Sequence, residues 1–87
     1  MVGGGYMKVS VLFFASFREL MNTDQVELNL PESFTAGEVL DRVCTNEVRA
    51  MSWRRIMKLA VNDCYVAHDT PLKDGDVVAI IPPIAGG

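Results

Sequence analysis

The chain has 87 residues, with eight Lys plus Arg against eleven Asp plus Glu and a formal net charge of −3. It is 49% hydrophobic and 22% charged, too apolar for a disordered chain, yet no stretch approaches the ~18 uninterrupted apolar residues of a membrane span. A pI near 4.9 argues against a nucleic-acid partner.

At this length one domain is the expectation, 1–87. Area scaling lets it bury only about 60% of its unfolded surface, which leaves a small core and little room for a cofactor pocket. The seven glycines are unevenly placed: Gly3, Gly4 and Gly5 near the start, Gly86 and Gly87 at the end, and only Gly37 and Gly75 between.

Residues 1–6 read as a flexible leader. They lack the basic start and apolar centre of a secretory signal, so a cytoplasmic location is expected. Residues 8–14 follow. Val9, Val11 and Phe13 share one side, Ser10, Leu12 and Phe14 the other. Both sides are largely apolar, which predicts a central strand covered on both faces, at least at its end. Ser16 to Glu19 has capping-box spacing, with Phe17, Leu20 and Met21 as anchors of a short helix. Asn22, Thr23 and Asp24 are turn residues. Residues 25–30 alternate cleanly. Val26, Leu28 and Leu30 face one way, as in a half-buried strand that Pro31 ends.

Thr35 to Glu38 is a second capping box, and Ala36, Val39, Leu40, Val43 and Cys44 predict a helix over 36–45 lying across the sheet. Residues 47–55 read ambiguously, since Val48, Met51 and Trp53 fit another turn or two of helix. The basic run of Arg49, Arg54, Arg55 and Lys58 reads as a solvated helix end. A strand over 58–61, a turn at Asn62 and Asp63 and a return strand over 64–66 make a hairpin. Residues 69–72 form a loop or single helical turn, and 73–76 a tight turn with Gly75 free to take positive φ. The continuously apolar 77–81 predicts a strand buried on both faces. Pro82 and Pro83 then stop pairing and hold the chain extended, so that 82–87 form a tail. The order is that of an α+β fold in two layers, a helix on one face of a mixed sheet.

No catalytic set is apparent. Cys44 and Cys64 form no C-x-x-C pair and match no zinc spacing, so they read as free thiols. His68 is the single histidine and reads as an exposed loop residue. Neither a His-based metal cage nor a Cys-His or Ser-His-Asp arrangement is available. Asp74 and Asp76 flank Gly75 and read as turn residues rather than a carboxylate pair. The tail carries the chemistry instead. A carboxylate is a poor electrophile and needs activation, most simply as an acyl-adenylate from ATP. Glycine lacks Cβ, so Gly86 and Gly87 can thread a narrow channel. The prolines reduce the entropy lost on docking. Such a tail suits insertion into another protein's active site.

Three segments carry a likeness: Lys-Val-Ser-Val-Leu-Phe-Phe-Ala-Ser-Phe-Arg-Glu-Leu at 8–20, Ala-Val-Asn-Asp-Cys-Tyr-Val at 60–66, and Thr-Pro-Leu-Lys-Asp-Gly-Asp-Val-Val-Ala-Ile-Ile-Pro-Pro-Ile-Ala-Gly-Gly at 70–87. With them the sequence resembles the small-subunit family of molybdopterin synthase, sulfur carriers of the ubiquitin-like β-grasp superfamily. The resemblance implies a mixed sheet of four to five strands with a helix on one face and a flexible C-terminal tail. It implies that an adenylating enzyme converts the Gly87 carboxylate to an acyl-adenylate, that a sulfur donor then yields a thiocarboxylate, and that the tail enters the large synthase subunit to supply sulfur to a pterin precursor. Gly87 carries the sulfur, and Gly86 and Ala85 provide clearance. The chain would be a co-substrate more than an enzyme, with no cofactor bound and ATP consumed by the activating enzyme.

The family's docking patch falls on Phe14, Tyr65 and Ile81, with an aliphatic residue usual where Tyr65 stands. Arg18 matches an arginine that can pair with an acidic partner surface. Pro82, Pro83, Ile84 and Ala85 continue the contact along the tail. Two small subunits at opposite ends of a large-subunit dimer are implied. The sulfur carrier of thiazole synthesis and a protein modifier joined through Gly87 share the fold and diglycine and are the alternatives. The former usually lacks the Pro-Pro.

Overall fold

The computed structural model describes residues 5–43 and 56–83. Its elements are β1 (Tyr6–Phe13), α1 (Ala15–Met21), β2 (Gln25–Pro31), α2 (Ala36–Val43), β3 (Lys58–Val61), β4 (Cys64–Val66) and β5 (Val77–Ile81). The strands form one mixed sheet in the order β2-β1-β5-β3-β4. β1 and β5 run parallel at its centre, with Val11 opposite Val78 and Phe13 opposite Ile80. The β1–β2, β3–β5 and β3–β4 pairs are antiparallel. This is the β-grasp arrangement. No helix among the described residues is long and apolar enough to cross a membrane.

Alternation along each strand sorts the sheet into two faces. Met7, Val9, Val11 and Phe13 of β1, Leu30 of β2, Leu59 of β3 and Val78 and Ile80 of β5 are buried on the inner face. The buried Ala36, Val39 and Leu40 of α2 join them in one core cluster. Fully burying one such Leu or Val is worth about 1.5–3 kcal/mol.

The start of α2 follows the expected capping box. Glu38 N–H donates to Thr35 Oγ1 at 3.2 Å, and Thr35 N–H donates to Glu38 Oε1 at 2.8 Å. The remaining first-turn donors are taken by the loop beyond β4: Ala36 N–H reaches Thr70 O at 2.9 Å and Gly37 N–H reaches His68 O at 2.8 Å. Helix α2 is described to Val43, and the expected Cys44 and Thr45 lie outside the described residues.

α1 departs from expectation. It begins at Ala15, and its N-cap is Phe14, with φ −129° and ψ 155° and no side-chain cap, so no Ser16 capping box opens it. The cause is the junction with β1. Ala15 takes a left-handed φ of 52°, which turns the chain into the helix directly from Phe14. At its other end Asn22 is left-handed, and Asn22 and Thr23 N–H donate to Glu19 O and Arg18 O.

β1 starts at Tyr6, two residues before the expected Lys8, because Tyr6 and Met7 pair with Pro31 and Leu30. The larger correction concerns the second face. β1 and β5 were expected to be covered on both sides. Ser10, Leu12, Val77, Ala79 and Ile81 are instead only half-buried. A continuous apolar run shows that both faces are apolar, not that one chain covers them.

Candidate functional site

The outer face is organised by register. One cross-strand row runs Gln25, Leu12, Ala79, Ala60, Tyr65 from edge to edge. The adjacent row, where β5 leaves the sheet, holds Ile81 opposite Lys58. Phe14 directly follows β1 at the same end, just as Ile81 follows the paired Ile80. Between them lies an open apolar surface with two alanines as its floor and larger side chains around it. Tyr65 is 72% exposed and Phe14 44%, high values for large apolar groups.

Each of these residues is held by a local device. Phe14 is held extended between β1 and α1, and its carbonyl accepts the Arg18 N–H at 3.2 Å. Left-handed backbone at Ala15 costs about 1–2 kcal/mol, so the surrounding packing must enforce the turn that follows Phe14. Tyr65 is presented by a tight hairpin whose Asn62 and Asp63 both have positive φ, 52° and 74°, the type I′ pattern. Asn62 also ties the hairpin to β5. Its Oδ1 accepts the Val77 N–H at 3.0 Å and its Nδ2 donates to Asp76 Oδ1 at 2.9 Å.

The turn before β5 is equally fixed. Gly75 takes φ 88°, and its N–H donates to Lys8 O at 2.9 Å. Asp74 Oδ1 accepts the Lys8 N–H at 2.7 Å, and Asp76 Oδ2 accepts the Lys73 N–H at 2.8 Å. Both carboxylates therefore serve the backbone, as their positions beside Gly75 suggest.

The expected site residues fall into groups. Phe14, Tyr65 and Ile81 come together at one end of the outer face. Arg18 lies one helical turn beyond Phe14 on α1, a helix that packs against β1 and β5, and is exposed. Pro82 is buried and Pro83 exposed as the chain leaves β5. Ile84, Ala85, Gly86 and Gly87 lie outside the described residues.

Leu12, Ala60 and Ala79 belong to the same surface and escaped the sequence reading. Leu12 shares its period-two position with Phe14 and Ala79 shares its own with Ile81, on strands expected to be covered on both faces, whereas Ala60, 7% exposed, forms the floor between Ala79 and Tyr65. His68 is half-buried rather than exposed, with Nε2 3.4 Å from Met57 O. Cys64 is an exposed free thiol on the edge strand. Nothing in this surface pairs a nucleophile with a base. What it offers is an open apolar area beside Pro82 and Pro83.

The ThiS family model matches residues 11–87. A molybdopterin synthase sulfur carrier subunit of Drosophila erecta is 41% identical over 87 residues, covering 97% of this chain and 96% of that relative. A putative molybdopterin converting factor subunit 1 of Pyrococcus furiosus superimposes with a TM-score of 0.73 at 32% identity, covering 90% of this chain and 99% of that one. A protein–protein complex of subunits 1 and 2 of molybdopterin-converting factor from Helicobacter pylori contains a match with a TM-score of 0.62 at 27% identity, covering 93% of this chain and 100% of that one. With sequence and fold agreeing over nearly its whole length, the chain belongs to the ThiS family, where it stands with the molybdopterin synthase sulfur carrier subunits.

Proposed function

We propose that this chain is the sulfur-carrying small subunit of molybdopterin synthase and that Gly87 carries the sulfur. The observation that carries the reading is the path of β5. It crosses the middle of the sheet, contributes Ala79 and Ile81 to the open apolar face, and passes directly into Pro82, Pro83 and the tail. A partner seated on that face is positioned to receive the tail.

The chemistry follows from the terminal carboxylate. In an adenylating enzyme, a Gly87 carboxylate oxygen attacks the α-phosphorus of ATP; pyrophosphate leaves and an acyl-adenylate forms. Sulfide-level sulfur from a donor then attacks the acyl carbon, the bond from that carbon to the AMP oxygen breaks, and AMP leaves a thiocarboxylate behind. Sulfur is a better nucleophile than the carboxylate oxygen it replaces, so the large subunit's residues can catalyse its transfer to the pterin precursor. In this account Phe14, Tyr65 and Ile81 dock the large subunit and the activating enzyme in turn, with Leu12 and Ala79 between them. Arg18 meets an acidic surface of the partner. Pro82, Pro83, Ile84 and Ala85 line the tail's entry, and Gly86 and Ala85 give clearance. The solved complex of the two Helicobacter pylori subunits supports a large-subunit partner.

Intact-mass measurement tests the reading. After incubation with the activating enzyme, ATP and a sulfur donor, the chain should gain the mass of one oxygen replaced by sulfur, located at Gly87. A chain that stays unmodified, or that ends joined to lysines of target proteins without passing through the thiocarboxylate, would contradict it.

A further inference from the structure

By sequence Lys58 belongs both to a basic run and to the strand expected over 58–61, and the structure places it on that strand. Lys58 opens β3 and lies on the outer face of the sheet, opposite Ile81 in register and next but one to Ala60. It is exposed, and no hydrogen bond or ion pair joins its ammonium group to another described residue. On its far side Lys58 borders a groove of about 620 Å³ that it lines with Met57, Tyr65 and His68. Tyr65 belongs both to this groove and to the apolar row, so groove and docking face are continuous.

A cation in that position constrains whatever docks there. A partner surface that covers Ile81 and Tyr65 also covers Lys58 and strips its water. Burying an unpaired ammonium group is costly, and the cost falls only if a counter-charge arrives with the partner. We infer that the protein receiving the tail presents an Asp or Glu side chain to Lys58, seated in the groove beside Tyr65. This rests on the large-subunit reading above and adds a second, charged determinant to its apolar one. The Lys58 charge then sets orientation and partner choice.

The test is titration of the large synthase subunit of the same organism into the wild-type chain, Lys58→Ala, Lys58→Glu, Lys58→Arg and Phe14→Asp, at about 0.05 M and about 0.5 M salt, between which screening of exposed charges strengthens severalfold. Lys58→Ala should weaken binding about tenfold and Lys58→Glu about a hundredfold at low salt, with the gap between them narrowing at high salt. Lys58→Arg should stay within about threefold of wild type, because it keeps the charge. Thermal unfolding of each variant should match wild type, and Lys58→Ala carries the test if Lys58→Glu does not fold.

If all Lys58 variants bind like wild type while Phe14→Asp does not bind, the acidic counterpart is overturned and the docking face stands. Equal, salt-insensitive losses for Ala and Glu overturn it too, since they indicate packing rather than charge. Normal binding by Phe14→Asp overturns the docking reading itself.

Discussion

Phe13 and Phe14 are neighbours of identical chemistry with opposite fates. Phe13 is 2% exposed among the core side chains, whereas Phe14 is 44% exposed on the other side of the sheet. The same contrast holds between the two faces as wholes. The inner face is closed by α2 and is responsible for stability. The outer face, nearly as apolar at the end where β5 passes into Pro82 and Pro83, is left only half-covered by this chain. One residue of register separates a side chain that holds the fold from one left exposed on the opposite face.

Substitutions can break this contrast, and the largest effect belongs to the inner face. Phe13→Ala should destabilise the chain by about 3–5 kcal/mol through lost burial and a cavity, measured by denaturant unfolding. For a domain with so small a core this approaches global unfolding. Phe14→Asp should change unfolding by less than about 1 kcal/mol and yet abolish large-subunit binding in a titration. Comparable destabilisation by both would mean that the outer face is part of the core after all.

Smaller effects sharpen the picture. Asp76→Ala removes the acceptor for Lys73 N–H and Asn62 Nδ2 and should cost about 1–2 kcal/mol in the same unfolding assay. Thr35→Ala breaks the capping box of α2 and should cost about 1 kcal/mol. Tyr65→Ala, at a side chain 72% exposed, should shift stability by no more than about 0.5 kcal/mol while weakening partner binding.

Much of this was legible in the residues, for physical reasons that differ by element. β2 was clear because strict alternation and Pro31 leave one solution. The Thr35 box was clear because its hydroxyl and carboxylate have backbone donors at fixed spacing. Asn62, Asp63 and Gly75 mark turns that few other residues tolerate. The start of α1 was not legible, because the determining feature is a left-handed alanine rather than a capping side chain. The extent of the open apolar face was hidden for another reason. Leu12 and Ala79 look like core in sequence, and nothing local reveals whether a covering layer comes from the same chain. The start of a strand at Lys58 was legible, but its neighbours in sequence said nothing about its partner across the sheet, Ile81. The expected partner residues of the tail from Ile84 onward lie outside the described residues, so their roles rest on chemistry and kinship.

The claim at the centre is that the folded domain presents one terminal residue to a partner. Reconstituted molybdopterin synthesis, run with the full chain and with a chain lacking Gly87, tests it most directly. The account predicts that the shortened chain keeps its fold and still binds the large subunit through Phe14, Tyr65 and Ile81, yet yields no molybdopterin. Synthesis at the full-length rate from the chain without Gly87 would contradict it.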